Sequence, residues 1–197
     1  MQHKDRRQDI LKAAMTLFAK KGFRGTTTRD LATQAEINEA IIFRHFSTKE
    51  ELYRAILEEK MKHGGRAEKH DELCQLAETA GDVEFLETLG RTILERHEQD
   101  TTFMRLLLFS ALEGHELSDM FLNSMPERDP VSIYMQKRID DGTFRQTDPN
   151  LAASAFVGMF FSYLQMQEIF GLKKKRSFER EEVVRTFVSI FLTGMKP

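Results

Sequence analysis

Apolar residues at the start of the chain recur at helical spacing and are separated by short polar breaks. A first helix over about residues 5–21 is predicted by four of them, which share one face: Ile10, Ala14, Leu17 and Phe18. Gly22 follows Lys20 and Lys21, an order that suits the carboxyl-terminal turn of a helix. The chain therefore begins with a helix that has a clear end.

Three more short helices are predicted directly afterwards by residues that favour helix starts. Thr27 with Asp30 three residues later forms an Asp version of the capping box, and Asn38 is a suitable N-cap for a third helix. Ser47 with Glu50 forms a further capping box that begins a fourth helix. Breaks this close together predict a compact amino-terminal module.

The third of these helices has two faces with opposite requirements, within the segment AEINEAIIFRHFSTK at residues 35–49. Ile42 and Phe46 lie one turn apart on the same face, and Ile37 precedes the cap, so this face is predicted to be buried. Polar, aromatic and small groups are left on the other face: Glu39, Ala40, Phe43 and Arg44, with His45 at its border. The helix should be held on one side and exposed on the other.

The exposed groups match the chemistry of the DNA major groove. Arg44 can donate a bidentate pair to guanine, and Glu39 can accept from the amine of cytosine. Ala40 or Ile41 can contact a thymine methyl group. A helix held by a preceding short helix and a tight turn is the helix-turn-helix arrangement, whose second helix enters the major groove. Ordinary packing in a small helical bundle is the alternative, because many bundles have one polar helix face.

Beyond Met61 the helical pattern weakens and then returns. The segment KHGGRAEKH, with paired glycines and many charges, is interpreted as the joint between a domain of residues 1–60 and a domain of residues 61–197. Helix starts are predicted at five places in the second domain: Gly81-Asp82, Thr101, Asp129-Pro130, Asp148-Pro149 and Ser177. Because neither strand alternation nor an internal repeat is found, the sequence predicts an all-α protein of about nine helices.

Two helices of the second domain are apolar around most of their circumference. Their segments are AASAFVGMFFSYLQMQEIF and, close to the carboxyl end, VVRTFVSIFL. A helix of this kind must be buried on several sides. Packing within one chain and packing against a second chain both meet that need.

Composition and charge narrow the class of protein. The 197 residues, 41% hydrophobic and 30% charged, are typical of a globular protein with room for two modules. Neither a signal peptide nor the ~18 to 20 apolar residues of a membrane helix is found, so we expect a cytoplasmic protein without a membrane partner. Up to residue 54, eleven basic and seven acidic side chains give +4, and the rest must carry −6 to reach the total of −2. A basic module on an acidic body suits a polyanion contacted at one end.

Other chemistry is not indicated by the sequence. Cys74 is the single cysteine, which excludes an intramolecular disulfide and a cysteine-rich zinc site. GHEL at 114–117 lacks the second histidine of a zinc-protease helix, and neither a glycine-rich phosphate loop nor a nucleophile elbow occurs. KKKR at 173–176 is most simply an exposed loop, with nucleic-acid or membrane-surface binding as the alternative. We therefore expect no metal, no cofactor and no enzymatic activity.

The segment from about Ile10 to Leu57 resembles the amino-terminal domain of TetR-family transcriptional regulators (TetR/AcrR type), through ILKAAMTLFAKKGFRGTTTRDLA, INEAIIFRHF and STKEELY. The resemblance implies that Thr27 and Thr28 contact phosphates and that Arg29 contacts a phosphate or a base edge. It also implies that Lys49 is a phosphate-binding lysine, at a helix terminus that favours anions. Base recognition is implied for the exposed positions of the third helix: Glu39, Ala40, Ile41, Phe43, Arg44 and His45. Asn38, the predicted N-cap of this helix, is included in the candidate DNA-binding set.

The sequence departs from this family pattern at two positions. Glu36 stands where the turn between the second and third helices usually has a glycine, so the turn must either avoid a left-handed backbone or accept strain of about 1 kcal/mol. Phe43 replaces a tyrosine that commonly donates its hydroxyl to a phosphate, which leaves an apolar ring for a sugar or a thymine methyl group. Operator preference is therefore not inherited from relatives.

For the second domain, the resemblance implies a dimer and an effector cavity. The last two helices pack against their symmetry mates, which places two recognition helices on one side of the DNA. The candidate cavity wall is apolar and aromatic: Phe103, Met104, Leu107, Phe121, Met125, Phe156, Met159, Phe160, Tyr163 and Met166. Candidate polar contacts are His97, Arg105, Glu113, His115 and Gln165. The same apolar residues would equally make an ordinary core.

The leading hypothesis is a homodimeric repressor that leaves a palindromic DNA operator when a bulky, mainly apolar or aromatic small molecule binds. A ligand-independent or activating DNA-binding regulator is the first alternative. An all-α carrier of hydrophobic ligands, or an enzyme, with a purely structural amino-terminal module is the second. Loss of duplex affinity in folded Arg44→Ala and Lys49→Ala variants would exclude the second alternative.

Overall fold

The computed structural model describes residues 3–63, 66–99, 101–114, 119–120, 123 and 129–197. These residues confirm the predicted all-α class, since they form α-helices and no strand. The α-helices are α1 (His3–Lys21), α2 (Thr28–Gln34), α3 (Glu39–His45), α4 (Lys49–His63), α5 (Arg66–Thr79), α6 (Asp82–Gln99), α7 (Thr102–Glu113), α8 (Pro130–Asp140), α9 (Pro149–Leu164) and α10 (Arg180–Met195). A π-helix (Gln165–Ile169) continues α9, and a short 3-10 helix (Leu172–Lys174) follows it. None of the described helices combines the length and apolar character needed to cross a bilayer.

The chain divides into two compact units. The first comprises Met1–Arg66 together with Thr101–Met125, and the second comprises Ala67–Asp100 together with Pro126–Pro197. The division into functional domains at 1–60 and 61–197 stays a prediction. The paired glycines of the predicted joint, residues 64 and 65, lie outside the described residues.

Several helices begin where the local sequence predicts. The capping box of Thr27 and Asp30 is present at α2, and the Asn38 side chain accepts from a backbone amide at the start of α3. Asp129 and Asp148 cap α8 and α9, each with proline in the first turn. These starts are predictable because the bonds that create them lie within three residues of the cap.

The start of α4 differs from the prediction by one residue. Thr48, not Ser47, supplies the capping oxygen, which accepts from the Glu51 amide at 3.0 Å. The Glu51 carboxylate, not that of Glu50, accepts in turn from the Ser47 amide at 2.7 Å. The predicted pair Ser47 and Glu50 is therefore wrong, because the neighbouring pair offers the same chemistry and the backbone selects it.

The start of α10 is also later than predicted. Its first residue is Arg180 rather than one that directly follows Ser177, and no side chain caps it. The Arg180 guanidinium instead donates to the carboxylates of Glu95 and Glu98 on α6, at 2.9 and 2.8 Å. These partners are distant in sequence, which is why a local capping rule misplaces this helix start.

The first unit is built around α1, which packs against α2, α4 and α7. Phe18 and Tyr53 are fully buried with their rings edge to face, 4.9 Å between centroids. The Tyr53 hydroxyl donates to the Leu106 carbonyl at 2.9 Å, and burial raises the pKa of this phenol. Each fully buried side chain of this size contributes about 1.5–3 kcal/mol. Residues from α7 are thus part of the core that supports the amino-terminal helices.

In the second unit, α6 packs against α9 and α10, and α8 packs against α9. Tyr134 on α8 stacks on Phe85 of α6 at 4.1 Å, and its hydroxyl donates to Asp82. Arg138 completes this group with an ion pair to Asp82 at 2.6 Å. The polar atoms of the buried tyrosine are therefore satisfied at the amino-terminal end of α6.

The approach of α9 to α6 depends on one glycine. A β-carbon at Gly90 would lie 2.6 Å from the ring of Phe160, which is fully buried. The same ring lies 5.2 Å from Phe156 and 5.1 Å from Phe187 of α10. Glycine at position 90 thus allows the aromatic core of this unit to form.

Candidate nucleic-acid interface

The third helix, α3, is held by one apolar face. Ile42 and Phe46 are buried in the core of the first unit, and Ile37 packs partly against it. The guanidinium of Arg7 lies 5.0 Å from the centre of the Phe46 ring. The predicted burial of this face is confirmed. The Asn38 oxygen accepts from the Ala40 amide at 3.0 Å, so this side chain determines where the helix begins.

The opposite face of α3 is open. Ala40, Phe43 and Arg44 are exposed, and Phe43 leaves 49% of its surface uncovered. Arg44 makes no hydrogen bond or ion pair with any other residue in the described part of the chain. Ile41 and His45 are half-buried, and Ile41 packs against the core. The side chains most available for an external partner are therefore those of Ala40, Phe43 and Arg44.

The start of α2 carries a tightly bonded cap. Thr27 accepts from the Asp30 amide at 3.1 Å, and both the amide and the hydroxyl of Thr27 donate to the Asp30 carboxylate. Lys21 adds an ion pair at 3.1 Å. The Thr27 amide, the Thr27 hydroxyl and Lys21 lower the pKa of Asp30 to about 2. Next to this cap, Arg29 is exposed.

A hydrogen bond joins α2 to α3 at the same edge. The Thr28 hydroxyl donates to Oε2 of Glu39 at 2.7 Å, and both side chains are half-buried. The sequence places these two residues in the candidate DNA-contacting set without indicating that they touch. Their pairing depends on the angle between the two helices, which no short sequence pattern specifies.

The turn between α2 and α3 has a left-handed residue. Glu36 has a φ of 54°, and among the described residues it is the one residue other than glycine that has a positive φ. The amide of Ile37 donates to the Ala32 carbonyl at 3.0 Å, and the amide of Glu36 donates to the Thr33 carbonyl at 3.2 Å. This is the Schellman pattern, in which glycine is the usual left-handed residue. Of the two possibilities expected from the sequence, the turn accepts the left-handed backbone.

Lys49 contacts the loop that leads into α2. Its ammonium donates to the carbonyl oxygens of Phe23 and Thr26, both at 2.9 Å, and lies 4.1 Å from the centre of the Phe23 ring. An ammonium group has three protons, so one is left for a phosphate. These contacts hold residues 23–26 from the side of α4.

Glu113, the last residue of α7, holds the same loop through its amides. Its carboxylate accepts from the amides of Phe23 at 3.0 Å and Arg24 at 3.2 Å, and the Arg24 guanidinium donates to the Glu113 carbonyl at 3.0 Å. A β-carbon at Gly22 would lie 2.6 Å from this carboxylate, and Gly22 has a φ of 74°. The sequence suggests Glu113 only as a polar effector contact. Its structural partners are about ninety positions away, so no local signal reveals them.

The candidate effector wall is distributed over both units. In the first unit Met104 is buried, and Phe103 and Leu107 pack against the core. In the second unit Phe156 and Phe160 lie together, Met159 and Tyr163 are half-buried, and Met166 is exposed. Phe121, Met125 and the candidate polar contact His115 lie outside the described residues. Lining of a cavity stays a prediction for this set.

His97 is a further candidate polar contact, and its side chain is half-buried. Its ring lies edge to face on Phe161 at 5.1 Å, and its Nδ1 is 2.7 Å from the Ile93 carbonyl. Burial lowers the pKa of this imidazole. A neutral ring that donates through Nδ1 presents Nε2 as an acceptor.

Comparison with known proteins gives matches along most of the chain. A family model described as bacterial regulatory proteins, tetR family, matches residues 10–56, and one described as AefR-like transcriptional repressor, C-terminal domain, matches residues 84–194. An uncharacterized HTH-type transcriptional regulator of Bacillus subtilis, YvkB, is 27% identical over 192 residues, which cover 94% of this chain and 95% of that protein.

Two solved structures with ligands share the fold. The first is AibR in complex with isovaleryl coenzyme A and operator DNA, with a TM-score of 0.70 at 21% identity, covering 94% of this chain and 97% of the other. The second is FadR from Bacillus subtilis in complex with stearoyl-CoA, with a TM-score of 0.65 at 17% identity, covering 95% of this chain and 98% of the other.

Proposed function

The chain belongs to the TetR family of bacterial regulatory proteins and is a DNA-binding transcriptional regulator, and from this premise we propose that it is a homodimeric repressor released from a palindromic operator by a small molecule. Residues 1–60 would bind the DNA, and residues 61–197 would bind the effector and form the dimer. A cytoplasmic location, where the chromosome is accessible, and the absence of enzymatic activity belong to the same proposal.

The exposed face of α3 carries the DNA-binding part of the proposal. Ala40, Phe43 and Arg44 are exposed, whereas Ile42 and Phe46 on the other face are buried in the core. Arg44 makes no hydrogen bond or ion pair with another described residue, so its guanidinium is available for the O6 and N7 atoms of guanine. A phosphate contact near this face is proposed for Arg29, which is exposed at the start of α2. The Thr27 hydroxyl donates to the Asp30 carboxylate and has no proton left for a phosphate, so the phosphate contact expected from the sequence is not proposed for it.

Selection of bound duplexes from a random pool tests this interface. We expect a palindrome whose half-sites lie one helical turn apart, because a two-fold dimer presents two copies of α3. Arg44→Ala should lose roughly tenfold or more in affinity for the selected duplex, because a good bidentate contact is worth about 1–3 kcal/mol. Arg145→Ala is the matched control, since it removes an exposed arginine from the loop between α8 and α9. Equal affinities for both variants would contradict the proposed use of α3.

Dimerisation is proposed through α9 and α10. Leu151 and Phe161 on α9 and Ile190 on α10 are exposed, although these helices also form the aromatic core of the second unit. Apolar residues on the outer side of two adjacent helices fit a second copy of the same surface. This arrangement would supply the two-fold axis that a palindromic operator requires.

A mainly apolar effector is the remaining part of the proposal, and acyl-CoA thioesters are the first compounds to test. Support comes from the two structural neighbours that hold isovaleryl coenzyme A and stearoyl-CoA. Each thioester should be titrated into the complex of the protein with its selected duplex. A compound that is an effector should weaken the binding of the protein to its duplex by about 5-fold to 150-fold. Unchanged affinity at saturation with every compound would favour the ligand-independent or activating regulator instead.

A further inference from the structure

We propose that Thr28 is a positioning residue that fixes the Glu39 carboxylate for recognition of the exocyclic amine of cytosine. This inference rests on the proposed DNA-binding function and adds a specificity determinant to it. It changes the role that the family resemblance implies for Thr28, from contact with a phosphate to control of a neighbouring side chain.

The hydrogen bond between the two residues carries the inference. The Thr28 hydroxyl donates to Oε2 of Glu39 at 2.7 Å, from the first residue of α2 to the first residue of α3. A threonine hydroxyl has a single proton, so a hydroxyl that donates to a carboxylate has none left for a phosphate oxygen. Thr28 can therefore contact a phosphate through its hydroxyl only if the bond to Glu39 breaks.

The bond leaves one of the two oxygens of the Glu39 carboxylate unbound. No residue in the described part of the chain donates to Oε1 of this carboxylate, whereas Oε2 is bound. Glu39 is half-buried at the first position of the recognition helix, next to the exposed Ala40 and one turn before the exposed Phe43. In the major groove, the cytosine amine is a donor that matches a carboxylate, while guanine presents only acceptors there. Adenine also presents an amine, but its N7 acceptor lies beside that amine and disfavours a carboxylate, which has no proton to donate.

The charge of Glu39 strengthens the need for a fixed position. A carboxylate close to DNA is repelled by the phosphates, so its presence weakens binding unless a base amine donates to it. A flexible glutamate could turn away from the groove and lose base discrimination. The Thr28 bond restricts this movement, so the loss of the hydroxyl should reduce specificity more than general affinity.

The test measures base preference with four protein variants. The wild-type chain, Glu39→Gln, Thr28→Val and Thr28→Ser are each used to select duplexes from a random pool. Binding is then measured by fluorescence anisotropy on duplexes that differ at one position of each half-site. For the wild-type chain we expect a cytosine preference of roughly tenfold at one position, the scale of a specific base contact. Glu39→Gln should lose this preference, because the substitution removes the carboxylate charge and one of its acceptors.

The Thr28 variants separate positioning from phosphate contact. Thr28→Val keeps the shape but removes the hydroxyl, and we expect the cytosine preference to fall to within about threefold. Thr28→Ser keeps the hydroxyl and should retain the wild-type preference. Thr33→Val is the matched control on α2, since the Thr33 hydroxyl donates to the Arg29 carbonyl at 2.8 Å within the same helix. Thermal unfolding of each variant establishes that it is folded.

Three results would overturn the inference. If Thr28→Val weakens binding equally to all four duplexes, the hydroxyl contacts the DNA backbone. If Glu39→Gln keeps every base preference of the wild-type chain, Glu39 recognises no base although the regulator still binds its operator. If the wild-type chain selects no duplex, the proposed function and this inference fail together.

Discussion

Glu36 holds a backbone conformation that most side chains disfavour. Its φ of 54° places a β-carbon in the left-handed region, at a cost of about 1–2 kcal/mol. Comparison of Glu36→Gly with Glu36→Ala isolates this cost, because both remove the carboxylate but only glycine removes the β-carbon. We expect the glycine variant to be more stable than the alanine variant by about 1 kcal/mol. Urea denaturation would measure the difference, provided that the free energy of unfolding falls with urea concentration at the same slope in both variants. Equal stabilities of the two variants would show that the turn is not strained.

Lys49 should act on DNA binding chiefly by holding the loop before α2. Its ammonium already donates two of its three protons to the Phe23 and Thr26 carbonyls, so its position is fixed by contacts within the protein. We expect Lys49→Met to weaken binding while the dependence of affinity on salt stays close to that of the wild-type chain. A side chain that neutralises a phosphate contributes about 0.9 to the slope of log K against log salt. A slope reduced by that amount in Lys49→Met would show that the lysine contacts the DNA backbone instead.

The candidate residues of the interface could be proposed from the sequence, but not all their contacts. The sequence predicts the burial of Ile42 and Phe46 because helical spacing alone puts them on one face. It also marks Glu36 as a position where glycine is expected. The bond from Thr28 to Glu39 and the loop contacts of Lys49 depend on how separate helices cross, and spacing along the chain does not specify that.

At the scale of elements, the π-helix after α9 contains a buried polar group. Oε1 of Gln167 has no hydrogen-bond partner within the described residues, although the side chain is almost completely buried. An unsatisfied buried polar group costs about 1–3 kcal/mol. Gln167→Met, which fills a similar volume without this group, should therefore raise the free energy of unfolding by about 1 kcal/mol.

Gln165→Met is the control for this prediction. Gln165 is the half-buried first residue of the same π-helix, and its substitution should change stability by less than about 0.5 kcal/mol. Chemical denaturation of both variants provides the measurement. A clear loss of stability in Gln167→Met would mean that the amide makes a hydrogen bond in solution.

Some helices begin at residues that nearby sequence determines, and others do not. Asp129 and Asp148 each precede a proline and bond to amides within the next three residues, so α8 and α9 begin as predicted. The start of α10 instead depends on Arg180 and its partners on α6. The π-helix and α5 also lack a predicted start, because neither has a capping pattern that distinguishes it from its surroundings.

At the scale of the whole molecule, the proposed dimer should depend on the exposed apolar residues of α9 and α10. Ile190 on α10 is 58% exposed, and a glutamate there would place charges near each other across the two-fold axis. We expect Ile190→Glu to shift the protein from dimer to monomer in sedimentation velocity experiments. DNA affinity should fall in parallel, because the two copies of α3 are no longer linked.

Val83→Glu is the control for the prediction about Ile190. Val83 on α6 is 53% exposed, so the substitution introduces the same charge at a comparably exposed apolar position of the same unit. The control should sediment as the wild-type chain does. If Ile190→Glu also remains a dimer, the interface lies elsewhere than on α9 and α10.

The all-α class follows from sequence periodicity. Periodicity does not predict which segments of the chain make up each of the two units. Residues Thr101–Met125 belong to the same unit as the amino-terminal helices, and no pattern near either segment indicates this. Their association is made by Tyr53 with Leu106 and by Glu113 with the loop at residues 23 and 24. Such pairs become visible only when the chain is folded, because each joins positions more than fifty residues apart.

The Glu113 contact has a consequence for biosynthesis. A ribosome that adds about 5 to 20 residues per second completes α4 several seconds before it reaches Glu113. During this delay the bonds from the Phe23 and Arg24 amides to Glu113, and from the Tyr53 hydroxyl to Leu106, have not yet formed. The nascent amino-terminal segment should therefore be sensitive to proteases and dependent on chaperones until translation has passed α7.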